Sequence, residues 1–496
     1  MTAPAAPVKD ARWNMIQREP YGLLINGKIV QAKAGATFDA INPHDNSVIA
    51  KIALAGAADI DEAVAAARKA VDEGPWGRSS VKDRADALKR IRKVFEANAD
   101  ELAFLETVDS GKPLGSVHYS DIGISLEAFD YFTGKLMELR GTATVMPTND
   151  IIHHKLFDPL GVVAEILPWN GPLWTGVQRM IAILAAGNAA IMKPAQMASL
   201  TFMRLSQLLI EADLPPGVIT SLAGSGSVVG EALVLDPRVD MISLTGGIES
   251  GSRVLSQAAA SVKKVSLELG SKSPNIIFAD ADFDAAAMWA VMGNFSNAGQ
   301  VCVSGSRVLI QRPIYDRMVA ELKKRLEAMV VGDPLDPRTE MGSLISRSHA
   351  EKVWEYIAIG KTEARLVTGG VPYTDPVRSK GCYIPPTLFA DASPDARIAK
   401  EEIFGPVLTA IPFDTMEEAL KIANDSSYGL SSGVFTQDLD TAWKVSRGLM
   451  AGQVYVNTWF GPVLQEPSEG YKQSGYGGVG MEKYMQSKNV FFRLKP

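Results

Sequence analysis

Cys302 stands in the run SNAGQVCVSGSR, among small and turn-forming residues, just after a long apolar stretch. A lone cysteine is most often a small buried hydrophobe. Here the small neighbours leave room for a substrate, and a thiol is a strong nucleophile whose pKa its surroundings can tune. Glu268 closes the strand-like run VSLE in KKVSLELGSKSPN, against glycine. A carboxylate in that place is either a solvated charge or, with its pKa raised by partial burial, a general base. Asn170, in PWNGPL, carries a carboxamide that either caps the next helix or donates to an oxyanion. Nucleophile, base and oxyanion donor are the roles that covalent catalysis requires.

A second group of residues suits a nucleotide. Gly224, Gly226 and Gly230 in AGSGSVVG follow a strand and open a helix, spaced GxGxxxG, one residue longer than the usual dinucleotide fingerprint. The run LTGG, Leu244 to Gly247, repeats the strand–glycine–helix arrangement one unit later. Two helix N-termini on one sheet present free N–H groups and the positive ends of helix dipoles to a phosphate. Lys193, before Pro194, ends a third strand and is either solvated or bonded to ribose hydroxyls or a phosphate.

These residues need a frame. LLINGKIVQA reads as a hairpin around Asn26–Gly27, and helical periodicity starts at Asp59. From Gly161 to Gly270 strands and helices alternate, beginning with GVVAEILPW, a helix with Pro172 near its start, and AAIMKP. The alternation continues through GVITSLAG, a helix from Ser227, VDMISLTG, a helix from Ile248, and VKKVSLELG. Such a series predicts a parallel sheet covered on both faces, with ligands at the carboxyl ends of its strands. A second α/β series begins near Ser273, with strands PNIIFAD, RVLIQ, ARLVTGG, PVLTAIPF, SSGVFT and GQVYVNTW. The expected fold class is α/β, two doubly wound lobes with the site between them.

Composition excludes several other classes. The 496 residues are 46% apolar and 21% charged, an ordinary globular mixture with room for two or three domains. Fifty basic against 56 acidic residues give −6, which offers no electrostatic reason to hold nucleic acid or an anionic membrane. Two cysteines, Cys302 and Cys382, build no disulfide framework, and Cys382 reads as structural. Five histidines show no metal-ligand spacing, and the pair His153–His154 reads as part of a strand. The N-terminus lacks a signal-peptide apolar region, and no apolar run approaches the ~18 residues of a membrane span. A cytoplasmic, metal-free protein is expected.

PWN, KPA, GSGSVVG, LTGG, LELGSKSPN, GQVC, VGDPLDP with MG-LIS, EEIFGPV and YVN follow one another along the chain. In that order they resemble the NAD(P)-dependent aldehyde dehydrogenase superfamily, from about Leu23 to Val490. The resemblance implies Cys302 as nucleophile, giving a thiohemiacetal and then a thioester, Asn170 with the Cys302 N–H as oxyanion hole, and Glu268 as activator of the hydrolytic water. It implies cofactor contacts from Leu167, Trp169, Lys193, Gln196, Gly226, Gly230, Gly246, Gly247, Ser250, Leu269, Glu402 and Phe404. NAD is the expected cofactor, and Gln196, where NAD-preferring members carry glutamate, admits NADP as well. The first 20 residues, Pro/Ala-rich and polar, read as a flexible arm, and the implied organisation after it is a cofactor domain at 21–139 and 159–270 and a catalytic domain at 271–470. Residues 140–158 and 471–496 would form an oligomerisation arm and a C-terminal strand joining a neighbour's sheet, in a homodimer or homotetramer.

The chain also departs from that pattern. Arg179 replaces a lysine and SGYGGVGMEKYMQSK lacks an Arg-Glu pair; that lysine and a glutamate pass protons in relatives, and an arginine cannot do so. Gly171, Gln178, Ser296, Pro462 and Ser468 stand where members that oxidise small aldehydes carry aromatic rings, which predicts a wider tunnel. Trp174, Phe295, Trp459 and Phe460 remain as expected walls. A bulky aldehyde, aromatic ones included, is the expected substrate. The alternatives are a phosphorylating or coenzyme-A-acylating relative, and a catalytically silent homologue. Silence predicts loss of Cys302, Glu268 or Asn170, and all three are present.

Overall fold

The computed structural model describes residues 10–461, 464–465 and 468–495. Five strands between 162 and 268 lie parallel in the order Lys264–Glu268, Met241–Thr245, Val162–Ile166, Ala189–Lys193, Ile219–Ser221. Strands Val162–Ile166 and Ala189–Lys193 are buried at every position, as expected of a sheet with helices on both faces. The order reverses between Val162–Ile166 and Met241–Thr245, and a ligand crevice opens at such a switch point. The Leu23–Ile25/Lys28–Val30 hairpin extends one edge, turning at Asn26 (φ 52°) and Gly27 (φ 73°), where both central residues need positive φ.

The second sheet runs Arg365–Thr368, Thr387–Ala390, Val407–Phe413, Arg307–Gln311, Pro274–Ile277, Ser431–Phe435, Gln453–Val456, parallel except for its first strand. Thr387–Ala390 and the hairpin Thr37–Ile41/Val48–Ala53 are additional to the strands read from the sequence. The helix expected from Ser227 starts as a widened turn at Gly226–Gly230 and continues only to Leu235. No described helix is long and apolar enough to cross a membrane.

Three expectations change. Within the 1–20 arm, residues 1–9 lie outside the described residues, but Trp13 packs edge-on against Phe104 at 5.5 Å, so packed chain begins by Asp10. The C-terminal strand Met485–Arg493 pairs over its whole length with Ile151–Pro159 of the same chain, which satisfies one of its edges without a neighbour. Residues 471–484 do not join that arm: Gly475–Tyr476 adds antiparallel to Lys264–Glu268, and Met481 and Tyr484 are buried in the cofactor-side core.

Helix Ala99–Ser110 ends at Gly111 (φ 81°), where the two lobes touch. A Cβ on Gly342 would lie 1.8 Å from the Gly111 carbonyl oxygen, so only glycine permits the approach. Beside this contact Lys112 is buried with its Nζ 2.7 Å from Glu106 and 2.5 Å from Asp121. Removing one member of a buried ion cluster strands the others without water or partner. Lys112→Ala should therefore cost about 3–5 kcal/mol, read as a lower denaturant midpoint, whereas exposed Lys82→Ala should leave the midpoint almost in place.

Candidate active site

Cys302 follows three consecutive left-handed residues, Asn297 (φ 49°), Ala298 (φ 53°) and Gly299 (φ 75°). Such a backbone costs an alanine about 1–3 kcal/mol and persists only where its surroundings over-determine it. Gln300, almost wholly buried, provides much of that determination. Its Nε2 donates to the Asn297 carbonyl at 3.0 Å, and its Oε1 accepts from the Ile345 N–H at 3.0 Å. Its own carbonyl accepts from Asn170 Nδ2 at 2.8 Å, and Asn297 Nδ2 donates to the Asn170 carbonyl at 3.0 Å. Asn170 is thus tied to the Cys302 loop. The helix after it is capped by Gly171 without a side-chain bond, so Asn170 is not its N-cap.

The thiol of Cys302, free and partly exposed, faces the backbone N–H groups of Cys302 and Val303. Burial, with Glu268 and Glu402 nearby, nevertheless pushes its pKa up to about 12. Burial also raises Glu268, against the opposing charges of Arg179 and Lys483. Arg179 reaches the carboxylate at 3.8 Å, an ion pair longer than a hydrogen bond. The resting cluster is therefore a neutral thiol beside a carboxylate that holds protons more readily than an ordinary glutamate. That pairing suits proton exchange between the two.

Glu402 stands on the far side. Its Oε1 accepts from the Ser271 N–H at 2.8 Å, and a Cβ on Gly270 would come within 2.1 Å of its Oε2. Burial raises its pKa to about 7. Phe404, two residues on, has φ 58° and is held by His349, whose Nε2 lies 2.7 Å from its carbonyl oxygen. A carbonyl only accepts, so that nitrogen carries the proton. Trp169 packs edge-on to both rings, at 5.0 Å from His349 and 5.2 Å from Phe404. Gln300 and His349 were missed in the sequence: one reads as a polar residue beside a cysteine, the other as a histidine with no ligand spacing.

The expected cofactor residues gather at the strand ends. Lys193 is buried at the end of its strand, where desolvation lowers its amine to about 8. The Leu167 N–H bonds the Lys193 carbonyl at 2.9 Å, and the Leu167 side chain is buried. Leu269 is also buried, packed onto Gly251. Gln196, Gly226, Gly247 and Ser250 are exposed, Gly246 is half-buried, and Gly230 is buried against Ile166. Around Gly226 and Gly247 no atom lies within 4 Å of where a Cβ would be, so backbone there stands open to a ligand. Open helix N-termini, a partly desolvated amine and the Glu402 carboxylate fit a dinucleotide.

The expected walls divide. Trp174 and Gln178 are half-buried one helical turn apart. The indole of Trp174 takes the space beside Gly171, where a Cβ would fall 2.2 Å from its Nε1. Phe295 and Trp459 are not open walls. Phe295 lies in the catalytic-side core. Trp459 is fully buried, with Nε1 donating to the Val303 carbonyl at 3.1 Å, and Gly293, Gly305 and Gly433 leave room for its ring. It supports the cysteine loop from behind. Ser296 bonds back to the Met292 carbonyl at 2.6 Å, and Pro462 lies outside the described residues.

Known proteins resemble this chain over nearly its whole length. The family model described as the aldehyde dehydrogenase family matches residues 29–490. Aldehyde dehydrogenase family 2 member C4 of Arabidopsis thaliana is 40% identical over 478 residues, 95% of each chain. An aldehyde dehydrogenase of Bacillus cereus solved as its NAD+ complex superposes with TM-score 0.95 at 36% identity, covering 98% of this chain and 99% of that one. A betaine aldehyde dehydrogenase of Staphylococcus aureus, also with NAD+, gives TM-score 0.95 at 35% identity, covering 98% and 97%. A match of this length, in sequence and in fold together, makes the chain a member of the aldehyde dehydrogenase family.

Proposed function

We propose that this aldehyde dehydrogenase oxidises a bulky aldehyde, aromatic ones included, to its carboxylic acid by way of a thioester on Cys302. The observation that carries the reading is the neutral Cys302 thiol set beside a proton-accepting Glu268 and a carboxamide tied to the same loop. Glu268 takes the thiol proton as sulfur bonds to the carbonyl carbon. Negative charge then collects on the carbonyl oxygen, where the second Nδ2–H of Asn170 and the Cys302 N–H receive it. NAD, when bound, supplies the hydride acceptor that turns this adduct into a thioester. Lys193 would hold its adenine ribose and Glu402 its nicotinamide ribose, with the open backbone at Gly226 and Gly247 along its phosphates. Before the second half Glu268 gives that first proton to solvent; it then takes a proton from water, the oxygen bonds to the thioester carbon, the carbon–sulfur bond breaks to free the acid, and the proton on Glu268 returns to the Cys302 sulfur.

Small or polar side chains at Gln178, Ser296 and Ser468 support the bulky substrate, and the neutral Gln196 supports use of NADP beside NAD. Exposed Ile152, Leu156, Phe491 and Phe492 on the three-stranded sheet support assembly into dimers or tetramers. The proposed boundaries remain an arm at 1–20, cofactor parts at 21–139 and 159–270 and a catalytic part at 271–470, with 471–484 reassigned to the cofactor side.

Cys302→Ser should abolish aldehyde-dependent NADH formation and leave NAD binding intact; retained turnover would refute the nucleophile. Glu268→Gln should form the first equivalent of NADH more slowly than the wild type and then stall, with the acyl group on Cys302 visible by mass spectrometry. Release of that acyl group only on adding phosphate or coenzyme A would point to a transfer reaction instead. Across a panel of aldehydes, kcat/KM should be higher for substituted benzaldehydes than for acetaldehyde. Gln196→Glu should lower kcat/KM with NADP at least about tenfold while sparing NAD, because a carboxylate there repels the 2′-phosphate.

A further inference from the structure

A parallel sheet buried on both faces is normally apolar throughout. This one carries a polar row. Glu165, Ser243 and Ser266 pair side by side across three adjacent strands, and all three are buried. The row is closed by two residues of the turn Met481–Tyr484. Lys483 Nζ donates to Ser266 Oγ at 2.9 Å and to Ser243 Oγ at 3.3 Å, while the Tyr484 hydroxyl donates to Glu165 Oε2 at 3.3 Å. Ser266 and Glu268 lie two residues apart on one strand, hence on one face. The Lys483 amine therefore sits one residue pair below the carboxylate, on its own side of the sheet.

We propose that Lys483 is a positioning residue for aldehyde oxidation, its ammonium supplying the charge that keeps Glu268 ionised as base. The proposal rests on the reading of Glu268 as that base. Arg179 alone is a poor substitute: it reaches Glu268 only at 3.8 Å, and its charge is fixed at every working pH. Lys483 differs because burial lowers its amine to about 7, so its charge changes near neutral pH. Arg179 pushes that amine further down, and Glu165, Glu268 and Glu469 push it up, with the Tyr484 ring 4.9 Å away. Glu268 in turn faces Arg179, Lys483, Glu469, Glu165 and the Cys302 thiol. Two groups coupled in this way titrate as a pair.

The sign follows from charge. A neighbouring cation lowers a carboxyl pKa, so losing it raises the pKa and moves the acid limb of hydrolysis to higher pH. The direct measurement acetylates Cys302 with 4-nitrophenyl acetate and follows loss of the acetyl group by mass spectrometry as a function of pH. In Lys483→Met the acid limb should move up by about one pH unit, an approximately tenfold loss on the limb and little loss above it. Ser266→Ala, which removes one acceptor of the ammonium and alters little volume, should move the limb the same way by less. Cofactor affinity should be unchanged in both. A limb that stays in place in Ser266→Ala, and in Lys483→Met if that variant folds, overturns the proposal. Glu268→Gln separates the two ideas: if it still deacetylates along the wild-type limb, the assignment of Glu268 is what fails.

Discussion

Charge out of water is the constraint around which this active site is organised. The proposed chemistry needs a thiolate and a carboxylate within reach of one another, yet burial raises the pKa of both and the carboxylate makes ionisation of the thiol harder still. The enclosure answers with fixed dipoles and positive charge: backbone N–H groups at the sulfur, a guanidinium against Glu268, and an amine beneath the sheet. Such arrangements act strongly because the medium is poorly screening, and they need no reorganisation as charge moves.

That electrostatic arrangement works only if the cysteine is held still, and the holding crosses between lobes. The left-handed run before Cys302 is unfavourable in isolation. It is maintained by Gln300 reaching Ile345, by Asn297 and Asn170 bonding across the cleft, and by Trp459 behind the loop. Asn170 belongs to the cofactor-side lobe and Cys302 to the other. The proposed oxyanion site therefore forms only where the lobes meet, and Gly111 and Gly342 bring them close at another point of that meeting.

The sheet frame was legible because strand–helix alternation and buried β-rich runs are local properties of the chain. Glu268 and Asn170 could be proposed because strand ends in such a sheet face the crevice, and Cys302 because its neighbours are small and turn-forming. What escaped was non-local. Nothing near Gln300 says that its amide spans 45 residues to Ile345, and nothing near His349 says that its ring carries Phe404. Phe295 and Trp459 were misplaced for the same reason, since an aromatic reads alike whether it lines a tunnel or backs a loop. The pairing of Met485–Arg493 with its own chain is likewise a matter of register between distant segments.

The setting of Trp459 has a consequence for how this enzyme can diverge. Its ring fills space ceded by three glycines from three separate segments, Gly293, Gly305 and Gly433. The four positions share one fixed volume, so each limits what the others can become. A methyl group at any of the glycines would come within 3.1 Å of the indole, whose Nε1 bonds the Val303 carbonyl one residue from Cys302. A smaller ring at 459 would instead release that volume and let the glycines vary. Space near the reacting sulfur is thus adjustable from the rear of the loop, by residues that no substrate touches.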